Sequence, residues 1–132
     1  YIRTPANNSD QNFWIGISAA ALPNGSSLGG KYVGFRFNSL LLDTEWKAVL
    51  YNGTSQSVTS AGAIAVSTVY KMRIQIDSNN ARALFSINDA AATVFSTNFP
   101  AITSELGIAC GTVMSASSSK GGISFASCEV RW

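Results

Sequence analysis

The sequence contains no histidine and only seven carboxylate side chains. Without histidine, Ser-His and Cys-His nucleophile pairs are excluded, and no strand-turn-helix serine elbow is present. The Gly-rich segment GSSLGGK (25–31) precedes no helical pattern, so a phosphate-binding loop is excluded as well. These absences predict a protein that is not an enzyme.

Charge is also scarce. Charged residues make up 12% of the chain, about half the usual share, and the net charge is only +2. The nine Lys and Arg residues form no run, so the sequence lacks the electrostatic footprint of a nucleic-acid-binding protein. Nucleic acid is therefore not an expected partner.

Long apolar runs are missing too. No window approaches the roughly 18 consecutive apolar residues that span a bilayer, and no signal-like segment opens the chain, so membrane insertion is not expected. The length of 132 residues predicts one domain, residues 1–132. Because the chain opens YIRTP without Met, we expect it to be the C-terminal part of a longer polypeptide.

Only two cysteines are present, Cys110 and Cys128. They are too few for a disulfide scaffold, and cysteine is among the residue types most often buried. We interpret the two C-terminal strand patterns as neighbours, which would permit a disulfide between these residues. Free buried thiols are the alternative that we favour.

Alternation of apolar and polar residues is what the sequence does supply. In NFWIGISAA (12–20) and KYVGFRFN (31–38) every second residue is apolar, and EWKAVLYNG (45–53) continues the pattern into an Asn-Gly turn. No segment sustains apolar residues at helical spacing. The fold class is therefore predicted to be all-β.

The most regular alternation lies in VYKMRIQIDSNNARALFSIND (69–89). A one-residue slip in a hairpin would turn its apolar residues out to water, so this regularity predicts a hairpin with one buried face around Ser78-Asn79-Asn80. Further strands are predicted in 93–100, 105–114 and 122–132. About eight strands joined by polar turns and Gly/Ser loops predict a two-sheet antiparallel sandwich or jelly roll.

Four segments resemble a known superfamily. VYKMRIQID (69–77), ALFSINDAAATVFSTNFPA (83–101), LGIACG (106–111) and CEVRW (128–132) are similar to the concanavalin A-like lectin and glucanase superfamily, most closely to jelly-roll domains of bacteriophage particle proteins. In that group a Tyr-initiated strand leads into a hairpin and then into a strand that ends in Thr-Asn, an apolar residue and Pro. The hairpin tip there reads Asn-Gly, whereas this chain has Asn88-Asp89, which leaves the turn geometry open.

The resemblance covers about residues 12–132 and implies a concanavalin A-like jelly roll whose first strands precede Tyr1 in the full polypeptide. It implies a non-catalytic head decoration, fibre or tail module at the surface of a phage particle. Other virion proteins and host-surface glycan are the implied partners, in a homo-oligomer such as a trimer. The alternatives are a carbohydrate-binding module of a secreted protein and a glycan-cleaving enzyme.

Glycan cleavage would need two carboxylates about 5 to 9.5 Å apart. The glucanase motif Glu-x-Asp-x-x-Glu is absent. Asp43 and Glu45 are the only acids two residues apart and are interpreted as a solvated strand end, and Asp77 stands alone. No cofactor is expected, and a calcium site, the remaining alternative, would have to borrow backbone carbonyls.

Sugar binding needs less, namely an aromatic face and a few planar hydrogen-bonding groups. If the strands at 12–18, 31–38, 45–51 and 70–77 share one sheet, six such side chains project from its wet face. The candidate contact residues are Trp14, Tyr32, Arg36, Lys47, Tyr51 and Arg73. The same residue types are enriched where proteins dock, so a glycan and a protein contact both remain open.

Two other tryptophans and three glycosylation-like triplets are interpreted as structural. Trp46 alternates with apolar neighbours and is predicted in the core, and Trp132 is predicted to cover the sandwich edge. The triplets begin at Asn7, Asn24 and Asn52 and are expected to form turns.

Overall fold

Antiparallel strands build every sheet in the described residues. The structure is a computed structural model that describes residues 1–9, 11–19 and 28–101 and the backbone of 107–114 and 124–125. In these ranges the chain forms strands and two short 3₁₀ turns, Ser39–Leu41 and Ser78–Asn80, and no α-helix. The strands are β1 (Ile2–Arg3), β2 (Gln11–Ser18), β3 (Tyr32–Asn38), β4 (Glu45–Tyr51), β5 (Gln56–Ala63), β6 (Val69–Tyr70), β7 (Met72–Asp77), β8 (Arg82–Ile87), β9 (Thr93–Phe95), β10 (Gly107–Met114) and β11 (Ser124–Phe125).

Three sheets arise from these strands. A five-stranded sheet has the order β10-β2-β3-β4-β5, and two three-stranded sheets have the orders β11-β1-β6 and β7-β8-β9. Only Lys71 separates β6 from β7, so the two smaller sheets follow one another along the chain. The all-β prediction with antiparallel pairing is confirmed.

The core lies between the five-stranded sheet and the smaller sheets. Phe13, Val33, Phe35 and Leu50 point inward from the large sheet because alternate residues of a strand share a face. Residues of β1, β6 and β8 meet them from the other side, including Ile2, Tyr70, Ala83, Phe85 and Ile87. Two layers with one shared core give a β-sandwich-like architecture.

An aromatic cluster fills one end of this core. The Trp46 ring lies 6.1 Å from the Phe13 ring, 6.2 Å from the Phe37 ring and 5.8 Å from the Tyr70 ring, measured between centroids. Trp46 has no exposed surface. Its predicted core position is confirmed, whereas Trp132 lies outside the described residues.

The hairpin at 69–89 is also confirmed. β7 and β8 pair in register from Met72 opposite Ile87 to Asp77 opposite Arg82. Its inner face carries Ala83, Phe85 and Ile87, all buried. The following turn has left-handed backbone at Asn88 and Asp89, with φ of 53° and 59°. Asn88-Asp89 thus adopts the positive φ pair that an Asn-Gly turn would use.

The structure differs from the predicted strands in two places. Within the described residues β10 and β11 do not pair with each other, because β10 pairs with β2 and β11 pairs with β1. The strand β5 was not predicted, and it forms the edge of the large sheet beside β4. Ser, Thr, Gly and Ala dominate β5, so its sequence shows no apolar alternation.

No helix in the described ranges has the length and apolar character needed to cross a membrane.

Candidate functional site

Five of the six predicted contact residues do share one face. Trp14, Arg36 and Lys47 are opposite one another across β2, β3 and β4, and Tyr32 is opposite Tyr51 four residues away on β3 and β4. Because these positions alternate with the core residues, all five lie on the face of the large sheet that points away from the core. We call it the outer face.

That face is not the open surface that was predicted. Trp14 and Tyr32 have no exposed surface, and Arg36 is 6% exposed, so the expectation that they face water is wrong. Lys47 and Tyr51 are half-buried. Trp14, Tyr32 and Val49 form a second apolar cluster with Leu28, which follows β2 in the chain. A sugar ring cannot stack on an indole that is covered in this way.

Arg73 does not belong to the outer face at all. It lies on β7, in a different sheet, where it is exposed. The prediction that 70–77 joins the large sheet is therefore wrong. β7 pairs with β8 and not with β4 because β5 occupies the edge beside β4.

A glycine pair explains how Tyr32 becomes buried. Gly16 and Gly34 are opposite each other, and the Tyr32 ring lies over them, with its hydroxyl donating to the Phe35 carbonyl at 2.8 Å. The Trp14 ring meets the Tyr32 ring edge-on at 5.4 Å. The missing Cβ atoms create the space that the ring occupies, so the outer face is packed like a small core.

The buried Arg36 has a buried partner. The Arg36 Nε and a terminal guanidinium nitrogen donate hydrogen bonds to the Asp43 carboxylate at 2.9 and 3.0 Å. The backbone amide of Asn38 donates a third hydrogen bond to the same carboxylate at 2.9 Å. The guanidinium also lies 5.7 Å from the centre of the Trp14 ring. Asp43 is 8% exposed, so its interpretation as a solvated strand end is wrong.

This ion pair closes the turn between β3 and β4. The Asn38 side chain accepts from the amides of Leu40 and Leu41, and the Asp43 amide donates to the Asn38 carbonyl at 3.1 Å. Leu42 has left-handed backbone, with φ of 60°. The result is a tightly bonded turn at which Leu40, Leu41 and Leu42 are 64%, 43% and 85% exposed.

A second turn at the same end of the sandwich is built similarly. The strand β5 ends at Ala63, opposite Glu45 at the start of β4, so the chain after β5 leaves the sheet where the leucine turn lies. The buried Thr4 hydroxyl donates to the Ala65 carbonyl at 2.6 Å and accepts from the Thr68 amide at 3.0 Å. Ser67, like Leu42, has a positive φ, here 50°.

This second turn also exposes apolar side chains. Val66 in this turn is 47% exposed, and Val69, the first residue of β6, is 54% exposed. Together with the three leucines they account for five of the eight large hydrophobic residues that are exposed among the described residues. We call the turn that carries Leu40, Leu41 and Leu42 the leucine turn. Sequence reasoning missed it, although three leucines in a turn bracketed by Asn38 and Asp43 were a usable signal.

Arg73 lines a depression on the other side of the molecule. The depression has a volume of about 200 Å³, and its lining is Arg73, Gln75, Leu84, Ser86, Asp89, Ala90 and Ala92. Lys71 forms an ion pair with Asp89 at 2.9 Å, which raises the pKa of the lysine. Arg73 forms no ion pair or hydrogen bond with the described part of the chain, so its guanidinium can bind a ligand.

The remaining acids of the enzyme alternative already have partners. Glu45 accepts from Lys47 and from Ser60, both at 2.7 Å, and these bonds lower the pKa of its carboxyl. Asp77 accepts from Asn80 and Arg82, both at 2.8 Å, and its pKa is lowered as well. A general acid needs a raised pKa, so neither carboxyl suits that role at neutral pH.

Asp77 should contribute to the pH dependence of stability. Its folded-state pKa lies below the ordinary 3.8, so its contribution is present above that value and is lost as the pH falls through the lowered pKa. We expect Asp77→Asn to flatten the decline in unfolding free energy below about pH 4. Urea titrations across this range measure the slope, and Asn79→Ala in the same turn should leave it unchanged. Equal slopes in wild type and Asp77→Asn would contradict the expectation.

The cysteine and cofactor predictions remain open. Cys110 lies in β10 opposite Ile15, while Cys128 lies outside the described residues. In the described ranges no three His, Cys, Asp or Glu residues group as metal ligands would.

The triplets at Asn7 and Asn52 form turns as predicted. The Asn7 side chain accepts a hydrogen bond from the backbone amide of Ser9, and the Asn52 side chain accepts one from the backbone amide of Thr54. The triplet at Asn24 lies outside the described residues.

Comparison with known proteins yields no relative for this chain: no protein-family model, curated protein or solved structure matches it.

Proposed function

We propose that this chain is a non-catalytic attachment domain that works by protein contact. The sequence resemblance supports a jelly roll of the concanavalin A-like type, as in structural proteins of bacteriophage particles, with the virion surface as its location. The observed two-layer antiparallel architecture is compatible with that fold. Fold alone does not assign activity, so the proposal depends on the surfaces that the domain offers.

The leucine turn is the observation that carries this proposal. Three consecutive exposed apolar residues are a liability in a folded domain unless they have a function. By contrast, the aromatic face that would have stacked on a sugar is covered, and Asp43, Glu45 and Asp77 are held by cations or hydroxyls. Contact with protein therefore fits the available surfaces better than glycan cleavage.

A sugar-release assay tests the non-catalytic part of the proposal. We expect the folded chain to release no reducing sugar from a panel of bacterial polysaccharides, because the described residues hold no pair of carboxylates without partners. Release that disappears in the Glu45→Gln/Asp77→Asn variant would overturn the proposal in favour of an enzyme. This variant leaves Asp43 intact, so its fold is preserved and circular dichroism provides the control.

Glycan binding at the Arg73 depression is a second candidate function. Arg73, Gln75 and Ser86 offer hydrogen-bonding groups beside the apolar Leu84, and the depression is large enough for about one sugar ring. Retention on a glycan array that is lost in Arg73→Ala would support this candidate. Arg3→Ala removes another exposed arginine and is the matched control. If the wild-type chain is not retained on the array, glycan binding at the Arg73 depression is excluded for the glycans tested.

A further inference from the structure

We propose that Asn52 is a site of covalent self-modification, at which the folded turn promotes loss of the side-chain amide as ammonia and then accommodates the aspartate that results. Asn52 is the first residue of the turn at 52–55 between β4 and β5. It is half-buried, while Gly53, Thr54 and Ser55 are exposed, so water reaches the turn. The modification places a new carboxylate on the surface of the domain and is independent of the attachment role.

The reaction begins when the backbone nitrogen of Gly53 attacks Cγ of Asn52, a group in the same turn, so no second molecule has to be positioned. A bond forms between these two atoms and the Cγ–Nδ2 bond breaks. The proton of the Gly53 amide leaves with the side-chain nitrogen as ammonia. Water then opens the five-membered succinimide ring, giving aspartate if it attacks at Cγ and isoaspartate if it attacks at the backbone carbonyl. Water is consumed, ammonia is released and no oxidant is needed.

Glycine at position 53 leaves the attacking nitrogen accessible. No side chain of its own shields that nitrogen. Its φ of 102° lies in the region that glycine adopts without strain, and glycine also has the widest choice of other backbone conformations. The backbone at Gly53 can therefore rearrange as the ring closes.

Two backbone amides already point at the oxygen on which charge develops. The amides of Thr54 and Ser55 donate hydrogen bonds to Oδ1 of Asn52 at 2.9 and 2.8 Å. When the Gly53 nitrogen attacks, this oxygen becomes the oxyanion of a tetrahedral intermediate. Preorganised donors at about 2.7 to 3.1 Å stabilise such an oxyanion more than mobile water does. The folded turn thus supplies a stabilisation that the unfolded chain lacks.

The hydrogen bonds around Asn52 can also accommodate the aspartate product. Nδ2 of Asn52 donates to Oδ1 of Asn98 at 3.5 Å, and Nδ2 of Asn98 donates to the Ser57 hydroxyl at 2.6 Å. If the Asn98 amide rotates by half a turn, its nitrogen can donate to the new carboxylate and its oxygen can accept from the Ser57 hydroxyl, because a hydroxyl both donates and accepts. The carboxylate keeps the two backbone donors. Conversion to aspartate therefore leaves each of these polar groups with a partner.

Peptide mapping by mass spectrometry during incubation at mildly alkaline pH tests the rate. We expect Asn52 to lose its amide at least about tenfold faster in the folded chain than in the same chain unfolded in guanidinium chloride, because only the folded turn holds both donors in place. A synthetic peptide of residues 48–58, followed in both solutions, corrects for any effect of guanidinium on the rate. A folded chain that reacts no faster than the unfolded one overturns the proposal.

A pair of variants at Thr54 tests the cause. Thr54→Pro removes one of the two amide donors, and Thr54→Ala keeps that amide and is the matched control. With the strands confirmed by circular dichroism, we expect Thr54→Pro to slow the folded-state reaction at least about tenfold and Thr54→Ala to leave it unchanged. Equal rates in the two variants overturn the proposal. If the proline variant does not fold, the comparison of folded and unfolded wild type still decides.

Asn52→Asp tests whether the fold accommodates the product. The substitution lowers the net charge from +2 to +1, so it also marks where the modified wild type should elute in ion-exchange chromatography. We expect its melting temperature to stay within about 4 °C of the wild-type value, because the carboxylate keeps both amide donors. A larger decrease would show that the turn does not tolerate aspartate, and it overturns this part of the proposal.

Discussion

Replacing Asp43 with asparagine is expected to lower the free energy of unfolding by about 3 to 5 kcal/mol. The substitution preserves shape but leaves the Arg36 guanidinium buried without its counterion. In the wild type that guanidinium donates two hydrogen bonds to the carboxylate, and both side chains are more than nine-tenths buried. Urea unfolding followed by tryptophan fluorescence measures the loss.

An exposed ion pair provides the control for this effect. Asp89→Asn removes the same charge from the Lys71–Asp89 pair, whose side chains are 43% and 66% exposed, and should cost far less unfolding free energy than Asp43→Asn, because solvent screens the pair. Adding Arg36→Leu to Asp43→Asn should recover part of the loss, because no buried charge is then left unpaired. Equal losses for Asp43→Asn and Asp89→Asn would show that burial does not set the strength of the pair.

The second large effect is expected at Gly34. An added Cβ would lie 2.3 Å from the Tyr32 hydroxyl oxygen and 2.5 Å from the Ile15 carbonyl oxygen. The tyrosine ring can shift, but the carbonyl belongs to the neighbouring strand and can move only if β2 and β3 separate. Gly34→Ala should therefore lower the unfolding free energy by about 3 kcal/mol, at the upper end of overpacking costs.

Gly29→Ala is the corresponding control. A Cβ at Gly29 would meet nothing within 4 Å, so this substitution should change the unfolding free energy by no more than about 0.5 kcal/mol. The combination Gly34→Ala/Tyr32→Ala tests the cause. Because the contact with the Ile15 carbonyl persists, Gly34→Ala should destabilise the Tyr32→Ala variant further. No further loss in the Tyr32→Ala background would assign the whole effect to the tyrosine ring instead.

The sequence predicted the strands whose two faces differ most in polarity. β2, β3, β4 and the β7–β8 hairpin were all recognised, because a period of two is a local property that survives without knowledge of neighbours. β5 was missed since small polar residues occupy both of its faces. The strand β5 is defined by its pairing with β4 and not by its own composition. That pairing includes a β-bulge beside Gly62, whose φ is 139°.

The candidate site was predicted less well than the strands. Trp14, Tyr32 and Arg36 were correctly placed on one face, yet that face was expected to be wet because it carries Arg and Lys. Asp43 satisfies the charge of Arg36, and the glycines at 16 and 34 accept the Tyr32 ring. Neither compensation can be recognised from residue types, because both depend on residues brought together by strand pairing and by the turn.

Alternation along each strand determined by itself that this chain forms sheets, since every second side chain points the same way whatever the strand pairs with. Only the tertiary structure decided which faces are covered and which side chains remain in water. Burial depends on what lies opposite a face, and that is set by strand order and turn geometry. Strand order buries Trp14, which the sequence alone indicated as a solvent-exposed contact residue. Turn geometry exposes Leu40, Leu41 and Leu42, which composition alone would have assigned to the core.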